Sequence, residues 1–494
     1  MSAERPATKR TRASLLHNWI SLTGLVVVTG SLFSFLFLCV LDTLAHFSNP
    51  YIGILTYFVA PGFLFIGTFL TVFGMLHQWR KQVKSPGLLS AFAVDLSRPR
   101  DRKGMVIFIA GTVVFLLVSA IGSYKSYQVS ESVQFCGQAC HVPMQPEFIA
   151  HQNSPHARVA CVECHIGHGP EAFVAAKMNG VHQLIGVITD DYARPIKTPI
   201  RNLRPARDTC EQCHWPEKFS GNLDRTYQHF LADETNTPFA VRLTLKVGGA
   251  NPAHGNVGGI HWHVSQDNKI EYVATDDRRQ VIPWVRVTNP RGEVTEYRLP
   301  GFTNDIATYE MRTMDCLDCH NRPSHRFRSP NDAVDLAITL GSIDRKLPWV
   351  KSNAVVALTQ TYDTEARALE NISHLLRGKY PGAPQADALV TAVQKIYSEN
   401  FFPEMKADWR AYPENMGHKD WPGCFRCHDG RHKSVDDAKK KIPASDCAAC
   451  HTILAQGNGD AMSKVNLKGS AFFHLDSEYE NADCNSCHTG AFTK

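Results

Sequence analysis

The sequence predicts two parts: an α-helical membrane anchor of three spans, and a larger domain of short helices and loops with a small antiparallel β insertion. Three observations carry this reading. Apolar stretches long enough to cross a bilayer fall within residues 1–124. Beyond them, a cysteine pair followed at once by histidine occurs seven times. Between two clusters of that motif, residues 221–315 carry β-type runs separated by Gly, Asp and Asn.

The apolar stretches are 19–45, 52–76 and 105–123, and about 20 helical residues suffice to cross a hydrocarbon core. The first is too long for a signal-peptide core and lacks a small-residue cleavage site, so it reads as a retained anchor. Arg5, Lys9, Arg10 and Arg12 precede it, and Arg80, Lys81, Lys84, Arg98, Arg100, Arg102 and Lys103 follow the second stretch. The link 46–51 has no Lys or Arg. The positive-inside rule therefore places the N-terminus and the 78–104 loop in the cytoplasm, and the chain after the third span on the periplasmic side of a bacterial inner membrane. Much of the formal charge of +5 sits in these flanking loops, which argues against a nucleic-acid partner.

The repeated motifs are Cys136-Gly-Gln-Ala-Cys140-His141, Cys161-Val-Glu-Cys164-His165, Cys210-Glu-Gln-Cys213-His214, Cys316-Leu-Asp-Cys319-His320, Cys424-Phe-Arg-Cys427-His428, Cys447-Ala-Ala-Cys450-His451 and Cys484-Asn-Ser-Cys487-His488. C-x-x-C-H is the attachment signature of c-type haem: the thiols bond the porphyrin and the histidine binds iron. The first copy carries one extra residue. Of fifteen cysteines the motifs use fourteen, leaving Cys39 in an apolar run. Structural zinc needs no histidine after each second cysteine, disulfides need none at all, and redox C-x-x-C motifs occur singly. Seven covalently bound haem c groups follow, and the second part is a multihaem cytochrome c domain.

The motif spacing divides the chain into a transmembrane anchor (1–124), a membrane-proximal trihaem module (125–220), a β-rich insertion (221–315), a fourth haem module (316–330), a helical spacer (331–415) and a C-terminal trihaem module (416–494). So dense a haem load predicts little apolar core of the protein's own. Within the insertion, 239–247, 269–275, 280–288 and 293–299 read as strands. Within the spacer, 364–379 and 386–400 carry apolar residues at helical spacing, split by Tyr380-Pro381-Gly382.

A second histidine on an iron leaves no position for substrate, so histidines outside the motifs are informative. Those beyond the membrane-span ends are His151, His156, His168, His182, His229, His254, His261, His263, His325, His374, His418, His432 and His474. His156 and His418 shortly precede the second and fifth motifs, and His325 and His432 shortly follow the fourth and fifth. A histidine so placed points at a neighbouring haem when haems pack in pairs. Gly258-Gly259-Ile260-His261-Trp262-His263 brings backbone close to a porphyrin and makes His261 and His263 ligand candidates, and His474 joins them. At the first motif either His141 or Met144 can hold the iron. This motif lies closest to the membrane, where electrons from a lipid-soluble carrier would enter.

The stretch 105–123, Phe135-Cys136-Gly-Gln-Ala-Cys140-His141 with Met144, Ser154-Pro155-His156 before Cys161, the run from Asn202 to Cys210-Glu-Gln-Cys213-His214, and Cys316-Leu-Asp-Cys319-His320-Asn-Arg-Pro-Ser-His325 together resemble the NapC/NirT/NrfH superfamily of membrane-anchored quinol dehydrogenases. The resemblance covers about 105–325, and seven motifs bring it nearer the heptahaem branch of ImcH-like inner-membrane cytochromes. It implies oxidation of membrane quinol, menaquinol before ubiquinol, with electrons passed to a periplasmic multihaem cytochrome or reductase. It also implies that Lys177, twelve residues past His165, helps form the quinol pocket, with His182 and Gln183 where relatives carry a carboxylate. His156 would serve the third haem and His325 the second. The chain departs from short relatives in its three spans, its C-x3-C-H first motif and its extension over 326–494. A wiring subunit of a larger complex and a terminal reductase are the alternative readings; a homo-oligomer stays open.

Overall fold

A computed structural model describes residues 18–45, 59–84, 97–99, 102–107, 109–110, 128–138, 141–166, 170–200, 205–215, 219, 221–249, 258–265, 267–444, 447–475, 477–479 and 482–491. Two compact units emerge, one of Met1–Phe135 with Ile166–His182, the other of Cys136–His165 with Gln183–Lys494.

In the first unit, α1 (Trp19–Ala45) and α2 (Ala60–Lys84) are both long and apolar enough to cross a membrane. They pack along a seam of small residues. A Cβ added to Gly24 would stand 2.4 Å from the Thr71 backbone nitrogen, and one on Gly67 would stand 2.8 Å from that of Val28. Small residues let spanning helices approach this closely when lipid offers no hydrophobic drive. Ser21 Oγ donates to the Thr71 carbonyl at 3.2 Å, and Asn18 Nδ2 donates to that of Gly74 at the same distance. Of the third expected span, 105–107 and 109–110 are helical and the rest lies outside the described residues.

The second unit opens with α3 (His141–Gln152). A further helix, α4 (Pro170–Ile188), belongs to the first unit as far as His182 and to the second from Gln183; it carries Lys177, whose side chain lies outside the described residues, and His182 and Gln183, both exposed. Eight strands follow: β1 (Leu223–Phe230), β2 (Pro238–Leu245), β3 (Lys269–Val273), β4 (Trp284–Thr288), β5 (Val294–Arg298), β6 (Met311–Thr313), β7 (Lys433–Ser434) and β8 (His451–Gly457). They form two antiparallel sheets, ordered β1-β2-β8 and β6-β3-β4-β5-β7. The β segment is therefore not closed on itself. Each sheet takes a strand from beyond residue 430, because β2 and β5 have an edge that 221–315 does not cover.

The spacer folds as α5 (Pro330–Thr339), α6 (Val350–Thr359), α7 (Glu365–Lys379) and α8 (Ala386–Asn400). Ser329 caps α5, with Pro330 at its first turn, and Thr364 caps α7 by accepting from Arg367 N at 3.3 Å. Gly382, at φ 73°, turns the chain into α8. These helices bury Val334, Val355, Ile372, Leu376, Leu389 and Val393 in one cluster. The expectation of little apolar core thus fails for the spacer. It carries no motif cysteine, and the amphipathic helices α5, α7 and α8 can bury their apolar faces around α6, none of whose residues is exposed. A smaller cluster of Ile270, Tyr272, Ile282, Val285 and Ile442 backs the five-stranded sheet.

Candidate functional site

Most motifs fold as a single turn: Cys161–His165, Cys316–Cys319, Cys447–Cys450 and Cys484–Cys487 are helical, and Gly423–Arg426 is a 3-10 turn. Residues three apart share a face of such a turn, so both thiols point the same way with the histidine next in chain. The fourth motif is held most firmly. Asp315 caps it by accepting from Leu317 N at 2.8 Å, and Asp318 Oδ2 accepts from Asp315 N at 2.7 Å.

Five motif histidines, those of the second, third, fifth, sixth and seventh motifs, each face another histidine. The ring centroids of His165 and His325 lie 6.1 Å apart, those of His214 and His156 6.0 Å, and those of His428 and His263 5.7 Å. His451 and His418 stand at 6.3 Å, and His488 and His474 at 6.1 Å. His261 neighbours His320 of the fourth motif. Two metal–imidazole bonds of about 2 Å, plus roughly 1 Å of ring depth on each side, give about 6 Å between centroids. The donor set and its spacing fit an iron held between two imidazoles.

The ring chemistry agrees. Burial pushes His325 and His488 down to about 4, and it also lowers His261, His263, His320 and His418. These rings are neutral at pH 7, the form that binds metal. Nδ1 of His263 donates to the Ile260 carbonyl at 2.8 Å, Nδ1 of His428 to that of Pro443 at 2.8 Å, and Nδ1 of His156 to that of Pro323 at 3.3 Å. Such contacts fix the tautomer and leave Nε2 for iron.

His432 is a correction. Its ring is fully buried, with Nδ1 on Asp429 Oδ1 at 2.9 Å and Nε2 on the Ile282 carbonyl at 2.7 Å, so neither nitrogen is left for a metal. His151 is buried likewise, its Nε2 donating to the Val159 carbonyl at 3.0 Å. His229 Nδ1 sits 3.1 Å from the buried Asp335 carboxylate, and His374 is on the surface. At the first motif, Cys140 and the His141 side chain lie outside the described residues, while Met144 is half-buried on α3, one turn past His141.

The thiols order the motifs. The Cys136 thiol neighbours that of Cys161, and the Cys210 thiol that of Cys316. Cys164 and Cys213, Cys319 and Cys424, and Cys447 and Cys484 are likewise neighbours. Phe425, inside the fifth motif, stacks at 4.3 Å on His418, which faces the sixth motif's histidine. Cys427 and Cys450 complete these motifs, as Cys487 completes the seventh. Sequence reasoning missed Phe425, Phe219 (4.8 Å from the His261 ring) and Glu147 (beside His325), because no local pattern marks a residue that only supports a ligand.

Five pairs of facing histidines and neighbouring motif thiols, in a chain that also carries two long apolar helices, define a membrane-anchored multihaem c-type cytochrome. The NapC/NirT cytochrome c family, N-terminal region, matches residues 98–201. The chain is 40% identical over 505 aligned residues to the cytochrome c-type protein ImcH of Geobacter sulfurreducens, covering 98% of this chain and 97% of that protein. It is 26% identical over 129 residues to the cytochrome c-type protein NrfH of Wolinella succinogenes, covering 25% of this chain and 71% of that one. The chain belongs to the NapC/NirT cytochrome c family and is an electron-transfer protein. No solved structure matches it.

Proposed function

We propose that the chain oxidises membrane quinol, menaquinol in preference to ubiquinol, and passes the electrons through seven haem c groups to a periplasmic multihaem cytochrome or reductase. Bound haem supplies one-electron redox chemistry; the protein supplies the ligands, the spacing and the order. The observation that carries the reading is the continuous run of neighbouring motifs, each adjacent to the next in chain order. Such a run suits conduction from one end to the other. Facing histidines at five motifs would supply two ligands to each of those irons, which counts against a terminal reductase acting there. Lys177, with His182 and Gln183, orients the quinol oxygen and handles its protons in this reading. The haem domain faces the periplasm, with three spans in the inner membrane.

The test is anaerobic reduction of the full-length holoprotein by a menaquinol analogue, followed at the haem α-band, with Lys177→Ala beside wild type. Rapid reduction, slowed in the variant, is the expected result. Haems that dithionite reduces and quinol does not would overturn the reading in favour of a subunit wired to a partner's quinone site.

A further inference from the structure

We propose that Glu147 sets the redox level of the second haem by presenting its carboxylate to Nδ1 of His325. The inference rests on the reading that His165 and His325 hold that iron between them. His325 Nδ1 lies 3.0 Å from the Glu147 backbone carbonyl and 3.1 Å from its Oε2, so one N–H is shared between both oxygens of a single residue. The carboxylate is not free to swing away. Arg322 Nη2 donates to Oε1 at 3.1 Å and to Oε2 at 3.0 Å. Arg322 is itself pinned: its Nε donates to the His325 carbonyl at 2.6 Å, and its guanidinium lies 4.1 Å from the Tyr412 ring centroid and 5.0 Å from that of Phe327. Glu147 and Arg322 side chains are only 15% and 9% exposed.

Other facing rings are served differently. His156, His263 and His428 donate Nδ1–H to neutral backbone carbonyls. A carboxylate draws the Nδ1 proton more strongly than an amide oxygen and makes the imidazole a more basic ligand. A more basic ligand favours ferric over ferrous iron, so the second position is held at lower potential than a carbonyl-supported one. Glu147 lies on α3, one turn past Met144, and the Cys136 thiol of the first motif neighbours that of Cys161 of the second. The tuned position is thus the first one beyond the membrane-proximal motif. An electron reaching it is passed onward rather than stored.

The experiment is a redox titration of the full-length holoprotein, monitored by electron paramagnetic resonance to resolve individual low-spin ferric haems. It uses Glu147→Gln, Arg322→Gln and the double variant, with haem content checked by intact mass. Glu147→Gln is expected to shift one haem's reduction equilibrium at least tenfold towards the reduced form, which is 59 mV for a one-electron couple, and to change that haem's g-anisotropy. The double variant is expected to keep both changes. An unshifted signal overturns the proposal, and so does a double variant that returns to wild type, since that outcome assigns the effect to a charge pair acting through space. If Glu147→Gln does not accumulate, Glu147→Asp is read instead: a smaller shift of the same sign supports the proposal, and none overturns it. His325→Ala separates the proposal from the reading beneath it. Should every low-spin signal survive that change, the ligand assignment fails. Should one signal vanish while Glu147→Gln leaves that same signal in place, only the role of Glu147 fails.

Discussion

Asp318→Asn should destabilise the haem domain by about 3–5 kcal/mol, the range for breaking a buried ion pair by removing one partner. Asp318 sits between the two cysteines of the fourth motif and is 2% exposed. Its Oδ1 accepts from Tyr272 Oη at 2.6 Å and from Arg312 Nε at 2.7 Å, with Arg279 at 3.6 Å. Its Oδ2 accepts from Asp315 N at 2.7 Å. Asparagine keeps the shape but offers one acceptor oxygen, so its amide must face either a backbone N–H or a guanidinium. That leaves one buried donor unsatisfied, worth about 1–3 kcal/mol, and removes the charge that Arg312 was paired with. The Asp318 backbone carbonyl also accepts from Arg426 Nη2 at 2.8 Å and from Asn415 Nδ2 at 3.0 Å, and Arg426 lies inside the fifth motif. The residue is a strut between two neighbouring motifs, so the variant should also slow electron passage between them. Guanidinium unfolding of the holoprotein, followed by far-ultraviolet circular dichroism, reads the stability. A loss below about 1 kcal/mol, the scale of an exposed pair, would refute the reasoning.

Three further outcomes are expected. His418→Ala should abolish one low-spin ferric signal without changing the haem count by intact mass, and the lost signal should be the one that Cys447→Ser/Cys450→Ser removes, because His418 faces His451 at 6.3 Å; loss of the fifth motif's signal would contradict the pairing. His432→Gln should lower stability by about 2–4 kcal/mol through disrupted buried hydrogen bonds and leave every low-spin signal in place; a lost signal would restore His432 as a ligand. Lys351→Met should cost about 3–5 kcal/mol in the same unfolding assay by removing the cation paired with the buried Asp335 carboxylate, which Lys351 Nζ meets at 2.7 Å, whereas Lys351→Met/Asp335→Asn, which removes the charge and keeps an acceptor for Phe230 N, should recover part of that loss.

What the sequence makes legible here is what depends on neighbours in the chain. The first two apolar helices and the helices 365–379 and 386–400 declare themselves by length or periodicity, β3 to β5 fall within the runs expected as strands, and β2 starts one residue before its run. β1 does not, because six of its eight residues are exposed and no alternation marks it. β8 is hidden for another reason: it begins at His451, a motif residue, so the haem signature masks the strand. The histidines make the same point. His418 and His432 stand six residues before and four residues after the fifth motif, and spacing cannot separate them. The difference lies in a carbonyl 150 residues away, that of Ile282, which takes the second nitrogen of His432.

The pairing of rings also explains how a chain so rich in cofactor holds one order. Few motifs are completed from their own flank. His325, just past the fourth motif, faces the second motif's histidine, and His156, just before the second motif, faces the third's. His418, just before the fifth motif, faces the sixth's, and His263, from beside the β3 strand, faces the fifth's. Where such a pair holds an iron, it would tie together segments separated in sequence, most widely His165 with His325 and His263 with His428. Such ties would form only when both segments are in place, so that binding free energy would be folding free energy. The second and third positions share the segment 156–165, and the fifth and sixth share 418–428. Loss of one facing histidine within such a shared segment loosens the neighbouring position as well as its own. Stability of the conduit and continuity of the conduit are on this geometry the same property, and a variant that breaks one should be found to weaken the other.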